Sequence, residues 1–209
     1  MKRSGCLITF EGGDGAGKST LIDTLHHYLE KMGRSVISTR APGGTKIGAT
    51  IRSLLLTQGE EPLSERSELF LFLADRAQHV DEVILPALAK GAIVLCDRYN
   101  DSTVAYQGTA RGFEPEWTRS LCDFATKDLQ PDLTLYLDID PKIGLSRALA
   151  ASQKTDRIES EGITFHEKIR KAFHAIAERD PSRFRIIDAS KSPASVFEEA
   201  LQIIHATVL

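Results

Sequence analysis

The sequence predicts an α/β fold in which a parallel five-stranded sheet is flanked by helices. Three observations carry that prediction. Short, nearly continuous apolar runs recur five times along the 209 residues, as strands buried on both faces require. Amphipathic helical patterns separate these runs, and strand alternating with helix leads to parallel pairing through crossovers. The first run feeds directly into a glycine-rich segment that ends in Lys and Ser and opens the first helix.

Taken in order, the first strand is Cys6-Leu7-Ile8-Thr9-Phe10, followed by Gly12-Gly13-Asp14-Gly15-Ala16-Gly17-Lys18-Ser19 and then Thr20. The spacing predicts a helix over 18–31, with Gly33 as its stop. A second strand is read at 35–40 (SVISTR), then a helix over 47–56. A long helical pattern fills 63–90 in one or two pieces, with the polar start Ser64-Glu65-Arg66-Ser67. The third strand is 92–97 (AIVLCD). Helices at 114–127, 141–150, 164–179 and 194–207 alternate with strands at 133–139 (LTLYLDI) and 183–188 (RFRIID). The polar stretch 148–162 (ALAASQKTDRIESEG) interrupts two helical patterns and carries both signs of charge. It reads either as a mobile cover over a site or as a solvated helix end. Length, with no repeat and no linker, fits one domain spanning 1–209.

Composition excludes several classes of function. The 26 basic and 29 acidic residues leave a net charge of -3, without the basic run that tracks a nucleic-acid backbone, so no nucleic-acid polymer is expected as partner. No apolar run approaches the roughly 20 residues that span a bilayer, and Met1 to Gly5 leads straight into a strand. The expectation is a cytoplasmic protein without membrane contact. Three cysteines without paired spacing are expected to be reduced structural thiols.

The glycine-rich segment has the chemistry of a phosphate-binding loop. Its amides can turn inward on a polyphosphate, Lys18 adds a positive charge, and the Ser19 hydroxyl can ligate Mg²⁺. In a parallel sheet ligands gather beyond the carboxyl ends of the strands, so polar residues there take priority. These are Arg40 to Thr45, Asp97-Arg98-Tyr99, Asp138 and Asp140, and Asp188-Ala189-Ser190. Asp97 suits the metal side of a triphosphate. Arg98, with its planar fork, suits a second phosphate, with an ion pair at a strand end as the alternative for the pair. Phe72 and Arg76 lie at i and i+4, hence on one helix face, where a flat heterocycle could stack on one and bond to the other. A core ring beside a surface guanidinium is the alternative. The run Ser102 to Gly108 (STVAYQG) reads as a loop or helix start holding a partly buried Tyr106.

In combination these segments resemble the thymidylate kinase family. FEGGDGAGKST, TRAPGGT, ELFLFLADRAQHV, LCDRYNDSTVAYQG, DRIE and IDA follow that family's pattern in order from about residue 10 to residue 189. The resemblance implies a P-loop, nucleoside monophosphate kinase-like fold with a lid at about 148–162. It implies Mg²⁺-dependent transfer of the ATP γ-phosphoryl group to dTMP, giving dTDP for dTTP biosynthesis, in a homodimer. Gly12 to Thr20 would then bind ATP, with Lys18 catalytic and Ser19 and Asp97 on the metal. Asp14 would accept a hydrogen bond from the deoxyribose 3′-hydroxyl. Arg98 would clamp the dTMP phosphate with help from Arg52, Phe72 would stack on thymine, and Arg76 and Thr103 would bind its polar edge. Tyr106 would crowd the 2′ position, with Gln107 nearby.

One division within the family and two departures from its pattern, Ala41 and a lid poorer in arginine than in many lid-arginine relatives, are visible. Some members carry an arginine inside the phosphate loop. Here Gly15-Ala16 stands before Gly17-Lys18, so the catalytic arginine is expected from the lid, with Arg157 first and Lys154 and Arg147 behind it. Ala41 replaces the usual Glu in TRAPGGT, so no role is assigned to position 41. Other pyrimidine monophosphates such as dUMP, thymidine itself, or a nucleotide-dependent switch without kinase chemistry are the competing functions. Arg98 favours a monophosphate acceptor.

Overall fold

The computed structural model describes residues 4–57, 62–152 and 155–208. Five strands, β1 (Cys6–Glu11), β2 (Val36–Arg40), β3 (Ile93–Asp97), β4 (Leu133–Asp138) and β5 (Phe184–Asp188), form one parallel sheet in the order β2-β3-β1-β4-β5. The three central strands are buried almost throughout, whereas β2 and β5 are partly exposed. That difference was already written in their sequences: SVISTR and RFRIID mix polar with apolar residues, as edge strands do.

Side-chain alternation splits the core into two layers. Ile8 and Phe10 of β1, Leu95 of β3 and Leu135 of β4 face α1 (Lys18–Lys31) and α9 (Pro193–Thr207), packing with Leu25, Leu29, Ala200 and Ile204. Leu7, Val94 and Cys96 point to the opposite layer, against Val80, Ile84 and Leu88. Tyr136 and Phe184 meet Phe173 and Ile176 of α8 (Ile163–Arg179) on that same side.

The remaining helices are α2 (Lys46–Leu56), α3 (Glu65–His79), α4 (Leu85–Ala89), α5 (Asn100–Thr103), α6 (Pro115–Thr126) and α7 (Pro141–Ser152). The long 63–90 pattern proves to be one helical run in which α3 and α4 are joined by a π-helical turn, Val80–Ile84. Pro86 lacks an N–H and its ring crowds the carbonyl four residues back, so a widened turn just before it accommodates both defects. The STVAYQG run is helical as well: α5 continues into a second π-helical stretch, Val104–Ala110. Of the 148–162 stretch, the first part belongs to α7, and residues 155–162 form turns leading into α8. Lys154 lies outside the described residues.

Candidate active site

The sheet order puts the carboxyl ends of β1 and β3 side by side, and Phe10 pairs with Asp97 while Arg40 pairs with the same Asp97. The phosphate loop, the Arg40 turn and the Asp97-Arg98 turn therefore leave the sheet at one level, at a point where strand order reverses. Backbone packing explains the loop's composition. Gly15 has φ of +69°, and a Cβ there would stand 2.0 Å from the Gly144 carbonyl oxygen. An arginine at that position is thus excluded by the approach of α7, not merely absent.

Two cavities open at this level. The first is lined by Lys18, Ser19, Thr20, Asp97, Arg40 and Arg147, together with Gly15 and Gly17. The second is lined by Phe72, Arg76, Thr103, Tyr106 and Gln107, with Leu56 and Ile158 completing its apolar wall. Both include Asp14, Ala41, Arg52 and Arg98, so they are two ends of one cleft that meet at those four residues. A third hollow continues from the first past Thr24, Arg147, Lys191 and Phe197.

At the seam, Arg98 Nη2 donates to Asp14 Oδ1 at 2.8 Å and its Nη1 to Ser102 Oγ at 3.3 Å, while the guanidinium lies 5.0 Å from the centre of the Tyr106 ring. Burial works against the Asp14 carboxylate, but Arg98 and Lys18 prevail and hold it below its ordinary range. The backbone of Arg98 is left-handed, φ +70°, a conformation costing about 1–2 kcal/mol for a residue with a side chain. Its surroundings over-determine it. The amide of Arg98 donates to Phe10 O, and its carbonyl accepts from Arg76 Nη1 at 3.1 Å. Beneath it, Glu11, wholly buried, accepts from the Tyr99 amide at 2.7 Å and from the Ser102 hydroxyl at 2.5 Å. Burial and the neighbouring Asp101 push that carboxyl up to about 7. Such strain, sustained by a surrounding network, is the pattern found at functional positions.

The Lys18 ammonium is nearly buried and donates to the Gly12 and Gly13 carbonyls at 3.1 and 3.0 Å. Burial and the Arg98 charge pull it below its ordinary value, against the attraction of Asp97 and Asp14. Asp97 Oδ1 is buried without a hydrogen-bond partner, a costly state for a carboxylate oxygen that a divalent cation beside Ser19 would relieve.

Arg76 occupies the second cavity, but its terminal nitrogens are committed to the Arg98 and Tyr99 carbonyls, at 3.1 and 3.0 Å; Nε is the one left buried without a partner. Phe72 and Thr103 face the same space, and the Tyr106 hydroxyl is buried and unpartnered there. Arg52 donates to the Pro42 carbonyl at 3.0 Å.

Arg157 is the expected site residue that the fold does not bring to the phosphate loop. It lines neither cavity; its Nη2 donates to Glu68 Oε2 at 2.6 Å and its Nε to the Leu55 carbonyl at 2.8 Å. The physical reason is Glu68, a carboxylate only 1 % exposed that needs cations around it. Of the cations expected behind Arg157, Arg147 of α7, just before the 148–162 stretch, does line the first cavity and also donates to the Ala189 carbonyl. Sequence reasoning ranked it behind Arg157 because the approach of α7 to the loop is invisible in one dimension. Asp138, a strand-end acid, is turned away from the cleft by a two-point contact with Arg170, both bonds at 2.8 Å.

A family model described as Thymidylate kinase matches residues 10–200. A thymidylate kinase of Desulfovibrio desulfuricans is 50% identical over 206 residues, covering 96% of this chain and 95% of that protein. One of Protochlamydia amoebophila is 47% identical, with 98% and 94% covered. Among solved structures, a thymidylate kinase from Ehrlichia chaffeensis superposes with a TM-score of 0.77 at 32% identity, covering 96% of this chain and 98% of that one.

Proposed function

The chain belongs to the thymidylate kinase family, and on that premise we propose that its cleft holds ATP and dTMP end to end and passes the γ-phosphoryl group between them. The observation that carries the reading is the seam: two guanidinium groups, Arg98 and Arg52, border both cavities, and Arg98 is held there by Asp14, Ser102 and a strained, braced backbone. Two anionic substrates repel each other, so cationic groups must offset that repulsion before the phosphates can lie in line. Lys18 and the loop amides meet the donor phosphates, and Arg147 adds charge on the same side. The hollow bordered by Thr24, Lys191 and Phe197 offers room for the donor's base. Arg98 and Arg52 take the dTMP phosphate. Phe72 stacks on thymine, Arg76 and Thr103 meet its polar edge, and Gln107 lies nearby. Asp14 takes the 3′-hydroxyl, and the Tyr106 ring leaves no room for a 2′-hydroxyl. A phosphate acceptor is already nucleophilic at neutral pH, so no side chain is required as general base.

The donor set fits Mg²⁺: Ser19 and Asp97 would hold it, the latter through the oxygen that lacks a partner. When bound, the ion neutralises charge on the donor phosphates. We take residues 1–209 as a single kinase domain with 148–162 as its lid. Exposed Phe70 of α3 and Trp117 and Phe124 of α6 support a homodimer built on those helices. No helix among the described residues is long and apolar enough to cross a membrane, and a cytoplasmic location accords with the substrates proposed.

The test is a coupled ADP-release assay over dTMP, dUMP, dCMP, UMP and thymidine, with and without Mg²⁺. The reading expects the highest kcat/KM with dTMP and dependence on the metal. A thymidine rate above the dTMP rate, or no dTMP-dependent ADP, would overturn it.

A further inference from the structure

Glu68 lies in the first turns of α3, wholly covered, with no counterpart in the phosphate-transfer machinery described above. Four donors converge on it. Gln107 Nε2 reaches Oε1 at 2.8 Å, Arg111 bonds to both oxygens at 3.2 Å, and Arg157 Nη2 reaches Oε2 at 2.6 Å. Arg111 extends the cluster to Glu161 at 2.5 Å. Two acids and two guanidinium groups thus balance one another beside the acceptor cavity. The three side chains that carry these donors overcome the effect of burial and hold the Glu68 carboxyl below its ordinary range.

The second set of contacts gives the cluster its geometry. The backbone amide of Arg157 donates to the Leu56 carbonyl at 3.1 Å, and its Nε to that of Leu55 at 2.8 Å, fastening this residue to the end of α2. Its neighbours Asp156 and Ile158 both line the acceptor cavity, as do Leu56 and Gln107. Asp156 Oδ1 accepts from the amides of Ile158 and Glu159 at 2.8 Å, so the turn is fixed from within as well. For Arg157 to reach the phosphates it would have to give up a charge-assisted bond and a bond to a main-chain carbonyl, leaving Glu68 with one cation fewer.

We propose that Glu68 is a positioning residue of the acceptor site: it grips Arg157 and Gln107 together and thereby holds the 156–158 wall of the cavity in place, so that Arg157 serves dTMP binding and not the transfer step. This rests on the reading of that cavity as the dTMP site. It replaces the expectation of Arg157 as the charge on the γ-phosphate, and the two roles separate in steady-state kinetics.

Wild type, Arg157→Ala, Arg157→Lys, Glu68→Gln and the Glu68→Gln/Arg157→Ala double variant are compared for kcat and for KM of each substrate. A positioning role raises the dTMP KM about tenfold or more in Arg157→Ala and Glu68→Gln, the loss expected for one charge-assisted bond. The ATP KM stays within about twofold and kcat falls less than tenfold. The double variant is no worse than Arg157→Ala alone, since residues acting as one unit are not additive. Arg157→Lys preserves the charge count and reads the lost Leu55 bond through an intermediate dTMP KM, even where another variant does not fold. A kcat loss of about 10³ in Arg157→Ala at unchanged dTMP KM, with Glu68→Gln near wild type, would overturn the proposal in favour of a finger arginine. So would multiplicative effects in the double variant. A wild type without dTMP-dependent ADP release removes the reading of the cavity and this role with it, whereas an active wild type whose variants keep their dTMP KM removes this role alone.

Discussion

Replacing Arg98 by Gly and by Ala removes the same guanidinium but leaves different backbones, and the pair separates the clamp from the strain. At φ +70° alanine pays about 1–2 kcal/mol that glycine does not. Glycine pays back about 0.4–1 kcal/mol through its freer unfolded chain. The balance favours Arg98→Gly by about 1 kcal/mol, which for a chain of this size is about 2–4 °C in Tm. Both variants lose the 2.8 Å bond to Asp14 and whatever the fork does for the acceptor phosphate. Two charge-assisted bonds at about 1.5–3 kcal/mol each amount to roughly 10²–10⁴ in kcat/KM for dTMP. Calorimetric melting and coupled ADP release measure the two effects independently. An alanine variant melting at or above the glycine variant would refute the strained turn; a kcat/KM within tenfold of wild type in both would refute the clamp.

Three further outcomes follow from the same geometry. Gly15→Arg places a Cβ 2.0 Å from the Gly144 oxygen at positive φ, so it should lower Tm by several degrees and abolish activity instead of supplying a loop arginine; a stable, active variant would contradict the packing of α7 on the loop. Tyr106→Ala should raise the ratio of kcat/KM for UMP over dUMP by tenfold or more, whereas Tyr106→Phe should leave it unchanged; equal ratios in all three would remove the steric role. His79 is wholly buried beside Thr39, and burial with the Arg76 charge depresses it to about 3 from 6.5. The unfolded chain therefore binds a proton between those values that the folded one does not, so this group's stability contribution is full above pH 6.5 and is lost as pH falls. At pH 5 the loss is about 2 kcal/mol, and His79→Gln should flatten the fall in Tm from pH 7 to pH 5 relative to wild type.

How far the sequence leads depends on whether the controlling contact is local. The phosphate loop, the five apolar runs and the helices between them depend on neighbours in the chain, and each was legible with boundaries shifted by at most two residues. The 100–110 helix was only half legible, as a loop or a helix start: β-branched Thr103 and Val104 and a glycine at 108 argue against a helix, and burial against α8 and α6 overrides them. At the cleft, residue types announced themselves at strand ends, but partners did not. Arg76 and Phe72 did share a cavity, yet the two carbonyls that claim the Arg76 terminus depend on a tertiary turn. Glu68 stands one residue beyond a polar helix start, and no neighbour in the chain marks it as buried. Its partners are 39, 43 and 89 positions away, a separation no periodicity encodes. Glu11 was hidden in the same way, as the last residue of a buried strand.

The 2.8 Å pair between Asp14 and Arg98 joins a residue of the phosphate loop to one of the acceptor side. A nucleotide that draws Arg98 toward its own phosphate frees Asp14 beside Lys18 and alters the field the triphosphate meets. A triphosphate that recruits Lys18 changes what Arg98 must neutralise. On the function proposed above, occupancy of either half is registered in the other, and by thermodynamic reciprocity the factor by which the first ligand alters the affinity of the second is the same in both directions.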